Sequence, residues 1–429
     1  MVSKWSTLKE IQKHTSDWKI VKLNDFSTEA KNSFVNGPFG SDLLSSELTN
    51  EGRPVVYIRD IQKGSYRNKS NICITEEKFK SLPSCQVVFG DVIISKVGTP
   101  PCEAAIYDSK ISGIVTQDVI RIRCEELSQS IFLKYLLNSD IGKRQVQQIK
   151  ISGTRERVSL TDFKKIRLPQ PTINEQQKIA KILSTWDNAI STIERLIDNS
   201  IQQKKALMQQ LLTGKKRLLN ESGKSFEGEF NQHRLSELVN IDKKSLGKNT
   251  LEDYEFEYIS LSDVSTGTIS KSLERHVFSS APSRARRIVK ENDLLLATVR
   301  PNLKGFAKAK KEHDGFVAST GFAVLSAKKD VSSDYVYHYL FSHHLTGQIN
   351  ALVVGSNYPA INSSDVGSLK ILCPPLQEQQ KIATVLTNAD KEIELLEQQL
   401  ADLQQEKKAL MQVLLTGKKR VVVDEGDGA

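Results

Sequence analysis

Two stretches of the chain repeat one spacing of apolar positions. In the second stretch, Ile382, Leu386, Ala389, Ile393, Leu396, Leu400, Leu403, Lys407, Leu410 and Leu414 step by alternating fours and threes. That is the seam of a heptad helix, with one narrow apolar stripe and polar faces elsewhere. Subtracting 203 from each number gives Ile179, Leu183, Trp186, Ile190, Ile193, Ile197, Ser200, Lys204, Leu207 and Leu211. The first stretch thus carries the same seam, with a lysine at the same step. The flanking runs share the offset: Glu175-Gln-Gln-Lys returns at Glu378 (378 − 175 = 203), and Lys204-Lys-Ala-Leu-Met-Gln returns at Lys407 (407 − 204 = 203). A gapless internal repeat sets the architecture before any other feature.

The repeat predicts helices over 172–213 and 375–416. Thr172 followed by Glu175 has the form of a capping box, and Pro375 sits where a first helical turn tolerates proline. Each helix closes on Thr-Gly-Lys-Lys-Arg. Gly214 and Gly417 suit the left-handed position after a helix, and the basic run beside each suits the negative end of the helix dipole. Two helices in one register predict mutual packing along the seam. The linker, 214–229, is short and polar, so the second helix must run back along the first. The expected result is an antiparallel coiled coil with a globular body at each end, related by a pseudo-twofold axis. About forty residues would make a rod of roughly 60 Å.

The bodies, 18–171 and 230–374, repeat as well, between a polar lead-in at 1–17 and a tail at 417–429. Trp18-Lys-Ile-Val-Lys-Leu parallels Phe230-Asn-Gln-His-Arg-Leu at an offset of 212. Alternating runs place Tyr57-Ile58 and Tyr258-Ile259 in strands, with Asp60 and Asp263 shortly after. The runs 89–101 and 291–302 each read as a turn with an Asp, four or five apolar strand residues and a Gly- or Pro-marked turn, and another strand pair follows at 113–124 and 315–327. Phe132-Leu-Lys-Tyr and Tyr335-Val-Tyr-His read as short helices. Each half ends in a Gly-led loop, from Gly153 or Gly355, and a strand. The fold class is therefore α+β: two similar mixed α/β domains joined by two long antiparallel coiled-coil helices, with an internal pseudo-twofold repeat.

Composition narrows the chemistry. The 429 residues are 38% hydrophobic, and no stretch approaches the ~18 consecutive apolar residues of a membrane span. The start lacks the apolar core of a signal peptide, which points to the cytoplasm. Five scattered cysteines without C-x-x-C spacing indicate neither a zinc site nor a disulfide framework. A formal charge of +9 suits a polyanionic partner such as nucleic acid. Catalytic constellations are missing. Gly223-Lys224-Ser225 lacks the upstream glycine of a P-loop. There is no adenine-methylase N-P-P-[FYW] or D-P-P-[FYW] motif. Asp108-Ser-Lys and Asp162-Phe-Lys match only the tail of a nuclease motif, and His343-His344 are adjacent, without metal-ligand spacing. A duplicated basic chain without a catalytic site reads as a recogniser that lends specificity to other subunits.

The run Pro375-Leu-x-Glu378-Gln379, the heptad rod, and Lys-x-Ala-Leu-Met-Gln-x-Leu-Leu-Thr-Gly-Lys, present twice around two differing bodies, resemble one family. The chain is similar to the specificity (S) subunits of type I restriction–modification systems. Pro169-Gln-Pro departs slightly from the usual double-proline entry of the first helix. The resemblance implies two target-recognition domains, each reading half of a bipartite site in double-stranded DNA. It implies a rod that sets their spacing and docks two methyltransferase (M) subunits for adenine-N6 methylation. Restriction (R) subunits would add ATP-dependent cleavage. The S chain itself would bind no cofactor or metal; S-adenosylmethionine would belong to M, and ATP and Mg to R. The identical helix starts, Glu175, Gln176, Gln177 and Glu378, Gln379, Gln380, are expected to dock those partners. Two other readings remain: a coiled-coil adaptor binding nucleic acid through phosphates alone, with no sequence preference, and a nuclease with a hidden acidic site.

DNA-contacting candidates follow from side-chain chemistry, since Arg, Lys, Asn and Gln read bases while Arg, Lys and hydroxyls take phosphates. In the first body these are Arg59, Lys63 and Arg67 after the Tyr-Ile run, Lys96 after the next strand, and Arg155 and Arg157 in the Gly-led loop. In the second they are Arg284, Arg286, Arg287, Arg300 and Lys304, with Asn357 and Tyr358 in the equivalent loop.

Overall fold

Both heptad stretches are helical, at Ile173–Leu211 and Leu376–Leu414. The computed structural model describes residues 6–38, 40–353 and 359–423. Between 391 and 409 the only positions not fully exposed are Ile393, Leu396, Leu400, Leu403 and Lys407. Between 191 and 206 they are Ile193, Ile197, Ser200 and Lys204. These are the seam positions and no others. Trp186, Ile190 and Ala389 are half-buried, whereas Ile179, Leu183, Ile382 and Leu386 are buried. The gradient has a simple cause: one helix covers only one face of its neighbour, and full burial needs a further layer.

The chain divides into two units, Met1–Glu194 with Gln399–Ala429, and Arg195–Gln398. Each contains the start of one long helix and the end of the other. In the first unit, Ile179, Ala180 and Leu183 join Leu414 and Leu415 in the hydrophobic core. In the second, Ile382, Ala383 and Leu386 join Leu211 and Leu212. The helix segments are antiparallel within each unit. Glu175 pairs with Arg420 and Asp187 with Lys407 in the first; Arg217 pairs with Glu378 and Lys204 with Asp390 in the second. Adding 203 to one member of each pair gives the other set. The seam lysines thus find aspartates on the facing helix.

The helix starts are held by a clasp. Glu175 is buried and accepts hydrogen bonds from Arg420 Nε (2.7 Å) and Trp18 Nε1 (3.1 Å). Arg420 also forks onto Asp17 at 2.8 and 2.9 Å and lies over the Trp18 ring. In the second unit Glu378, fully buried, takes Arg217 in two bonds of 2.8 and 2.6 Å, with Phe230 beneath the guanidinium. Asp17 and Glu378 hold Arg420 and Arg217 firmly protonated. Gln176 and Gln379 are also buried, each donating its amide to a carbonyl just before the helix, at Pro171 and Pro374. This corrects the docking expectation for Glu175, Gln176, Glu378 and Gln379, whose side chains are buried within their own unit. Gln177 and Gln380 are exposed. It also refines the reading of the basic runs: Lys215, Lys216, Lys418 and Lys419 are exposed, but the arginine that follows each lysine pair is a partner to a specific carboxylate. Gly214 and Gly417, at φ 71° and 67°, turn the chain into the clasp; a Cβ on Gly417 would lie 2.0 Å from Thr15.

Each body repeats one topology. In the first, strands Val92–Ser95 and Val119–Ile122 centre a four-stranded antiparallel sheet, and Arg53–Val56 pairs parallel with Gly113–Val115 in a second, mixed sheet. In the second, Leu294–Ala297 with Phe322–Ala327 and the parallel pair Glu255–Ile259 with Val317–Ser319 do the same. Lys19–Lys22 pairs with Arg167–Gln170, and Asn231–Arg234 with Lys370–Cys373, in matching register. Two expectations are corrected. Tyr57-Ile58 lies after its strand, not in it: Val55, not Tyr57, matches Tyr258, because both face the parallel partner at an offset of 203. The lead-in is also structural. Ser6–His14 is a helix whose Leu8 and Ile11 are buried in the first core, since that core would otherwise leave an apolar face uncovered.

Where the rod meets each body the repeat departs from identity. Tyr135 hydroxyl and Lys134 both donate to Asp187 in the first unit. The position equivalent to Tyr135 (135 + 203) is His338, buried, 3.0 Å from Thr387 Oγ1 and 3.7 Å from Asp390. Burial lowers its pKa to about 4, outweighing the attraction of Asp390, while Lys204 and Lys308 add to the lowering. The unfolded chain therefore takes up this proton more readily than the native one, so stability is full above the ordinary histidine range and is lost as pH falls from about 6.5 toward 4. Urea unfolding at pH 7 and pH 5 should show a decline for the second unit, on the order of 2 kcal/mol. His338→Gln should remove that part of the decline. An unchanged pH dependence in the variant would contradict this assignment.

Candidate nucleic-acid interface

In the first body the strand Val92–Ser95 runs out into a turn pinned on both sides. Lys96 N donates to Asp118 O (2.7 Å), Gly98 N to Glu156 O (3.1 Å), and Val158 N to Lys96 O (3.2 Å). Ile151 and Arg157 exchange two backbone hydrogen bonds. Lys96, Arg155 and Arg157 therefore sit on adjoining segments, with both arginines exposed and Lys96 half-buried. The other candidates occupy a neighbouring loop built on Asp60. This buried carboxylate accepts from Tyr57 N (2.8 Å) and from the Ser70 amide and hydroxyl (2.7 and 2.8 Å). Arg59 stacks on Tyr57 and donates to Ser70 Oγ, and Lys63 tops the hairpin at φ 50°. Gly64 N reaches Glu103, whose amide bonds Ser95 Oγ, so the hairpin is tethered to the same strand end. Arg59, Lys63 and Arg67 are all exposed.

The second body presents the same edge. Thr298 N donates to Gly321 O (2.8 Å), Ile361 N to Thr298 O (2.9 Å), and Arg300 N to Pro359 O (2.7 Å). The bridge between Val299 and Ala360 matches the one between Val97 and Arg157. Arg300 and Lys304 flank the turn at φ 49° and 52°. Arg284 is exposed and its carbonyl accepts from Thr320, next to that turn. Arg286 is half-buried over Phe278. Arg287 is a correction. Its guanidinium pairs with Asp242 at 3.0 Å and reaches Ser245, while Asp242 also ties Val324 N and Ser363. It fastens strands together instead of facing a ligand. Asn357 and Tyr358 lie outside the described residues.

A further basic face was missed by reading turns alone. Helix Asp140–Ile149 leads into the Arg155 loop and exposes Lys143, Arg144, Gln147 and Gln148. The signal was present as two i, i+4 rows of long polar side chains. The same positions in helix His343–Leu352 are Thr346, Gly347, Asn350 and Ala351. The two edges thus share a backbone and differ in chemistry. Among the described residues no group of three or more His, Cys, Asp or Glu could hold a metal ion. Asp162, of the nuclease-like tripeptide, is taken up by Ser159 at a helix start and by Lys165. No helix of the described residues is long and apolar enough to cross a membrane.

Two bodies, each continued into its own half of the rod, are also what a known family model describes. The type I restriction modification DNA specificity domain matches twice, over residues 15–203 and 227–405, and the chain belongs to that family. It is 24% identical over 427 residues to the type I restriction enzyme MjaVIII specificity subunit of Methanocaldococcus jannaschii, covering 94% of this chain and 93% of that one. It is likewise 24% identical over 437 residues to the putative MjaX specificity subunit of the same organism, covering 96% of each. Among solved structures, the S subunit from M. genitalium superposes with a TM-score of 0.58 at 15% identity, over 93% of this chain and 96% of that one. A chain from a study of assembly and conformational transition in a type I system gives 0.52 at 16%, over 93% and 97%.

Ion-pairing to phosphates makes affinity fall with salt in proportion to the contacts made. Arg155→Ala and Arg157→Ala should each weaken DNA binding and reduce the salt slope by about one. Arg287→Ala should instead lower stability by about 1–2 kcal/mol, by leaving Asp242 without its ion-pair partner, and leave the slope unchanged. Titrations at several salt concentrations beside denaturant melts distinguish the two; a lost slope in the Arg287 variant would reverse the assignment.

Proposed function

We propose that this chain supplies the DNA sequence specificity of a type I restriction–modification complex, each body reading one half of a bipartite target. The observation that carries this reading is the pair of topologically equivalent edges, Lys96–Gly98 with Glu156–Val158 and Thr298–Arg300 with 359–361, which carry different side chains. One frame with two side-chain sets is what reading two different half-sites requires. The continuous helices, packed along the heptad seam, hold the separation of the two readings. The chain works without a catalytic centre, cofactor or metal of its own. Methyltransferase subunits bring S-adenosylmethionine for adenine-N6 methylation, restriction subunits bring ATP and Mg, and the complex acts in the cytoplasm. Docking falls to exposed positions of the helix starts such as Gln177 and Gln380, not to their buried neighbours.

The test is expression with the cognate methyltransferase subunit, followed by mapping of N6-methyladenine. A single bipartite motif, methylated on both strands, is expected. Methylation of no motif, or binding equal for all sequences, would defeat the reading. Ile393→Glu or Leu396→Glu, which put a carboxylate in the seam, should abolish methylation at the native spacing while each body keeps its fold. An unchanged motif in these variants would remove the helices from the spacing role.

A further inference from the structure

The turn that follows strand Leu294–Ala297 carries an apex the described residues of the first body do not match. It is a short 3-10 turn, Pro301–Leu303, with Arg300 before it and Lys304 after it. Leu303 is 66% exposed, and Asn302 beside it is exposed too. The turn is stiff. Leu303 N donates to Arg300 O and Lys304 N to Pro301 O, both at 3.0 Å, Arg300 N is anchored on Pro359 O, and Pro301 is buried. Arg300 and Lys304 both hold left-handed backbone, a costly conformation for side-chain-bearing residues that neighbouring contacts must enforce. The equivalent turn of the first body offers Gly98, Thr99 and Pro100. A large apolar side chain held out by a rigid turn between two cations is ill-placed for packing within its own fold and well placed against a polyanion with an apolar feature.

Duplex DNA has one such feature at a base edge, the thymine C5 methyl in the major groove. The neighbouring amide fits the same pair, since Asn donates and accepts with adenine N6 and N7. We infer that Asn302 and Leu303 read an A·T pair in the major groove of the second half-site, with Arg300 and Lys304 on the flanking phosphates. This rests on the specificity reading above and assigns part of it to two residues.

The experiment uses the full complex with its methyltransferase subunits and the mapped target. Each thymine is replaced in turn by deoxyuridine, which removes only the methyl. One position in one half-site should weaken binding about three- to fivefold, the worth of one methyl contact. Leu303→Ala should bind that half-site more weakly and become indifferent to the replacement, while its response to changes in the other half-site stays native. Asn302→Ala should relax the preference for adenine at the same or the adjoining pair by roughly tenfold or more. If the complex methylates its motif but no thymine responds, or Leu303→Ala still responds, the inference fails and the specificity reading stands. DNA bending that depends on Leu303 without a deoxyuridine effect would mark a wedge between bases and also overturn it. Absence of any methylated motif would defeat both readings together.

Discussion

A carboxylate buried at the start of a helix must have its charge met by hydrogen-bond donors or a cation, and much of this chain follows from where the two long helices find theirs. Glu175 and Glu378 each begin a long helix inside a hydrophobic core, and each is answered by the arginine that follows the other helix. Removing one member would leave a buried charge uncompensated, which costs far more than a surface pair contributes. The pairing fixes helix direction and register at once. It also explains the closing Thr-Gly-Lys-Lys-Arg: the glycine turns the chain under Thr15 or Phe230, and the fork geometry of arginine, which lysine lacks, meets both carboxylate oxygens of Glu378. Farther along, the seam lysines Lys407 and Lys204 repeat the logic with Asp187 and Asp390, which adjoin the seam of the facing helix. A polar pair inside an apolar stripe penalises any slipped alignment of the helices.

The features legible in the sequence were those with a period or a local signature. The heptad seam was readable because two copies confirmed one register, and the helix ends because Thr172, Pro375, Gly214 and Gly417 act on their immediate neighbours. Turns were legible for the same reason, so Lys96, Arg300 and the loops beside them fell on one edge in each body. What escaped depended on distant partners. Nothing local distinguishes a glutamate that docks a subunit from one that meets an arginine 245 positions later. Arg287 is indistinguishable from its neighbours in sequence, and its partner Asp242 lies opposite it only in the fold. Tyr57 was misplaced by two residues because Tyr-Ile resembled Tyr-Ile, while strand register obeys the parallel partner.

The equivalent edges distribute their cations unequally. The first body surrounds its edge with Lys63, Arg67, Lys143 and Arg144, from a hairpin and a helix. The corresponding hairpin and helix of the second body carry Thr266, Ser270, Thr346 and Gly347, and its cations gather at Arg284, Arg300 and Lys304. Contacts to phosphate position a protein and contacts to bases specify. A body rich in distributed cations and one built around a stiff, mixed apex can therefore contribute differently to affinity and to discrimination. Duplication supplied the frame, and divergence at the loops supplied the difference.

The core of the first body is closed by Leu414 and Leu415, residues made long after its sheets. At about 5–20 residues per second, the interval between Glu175 and Arg420 leaving the ribosome is on the order of 10–50 seconds. Throughout that time the first helix start carries a carboxylate without its arginine and an open apolar face. The second body faces no comparable wait, since Leu211 and Arg217 precede it. The order of synthesis therefore makes the N-terminal half the last to be completed. In a crowded cell its nascent form is the one that chaperones or a neighbouring copy's free helix end would meet first.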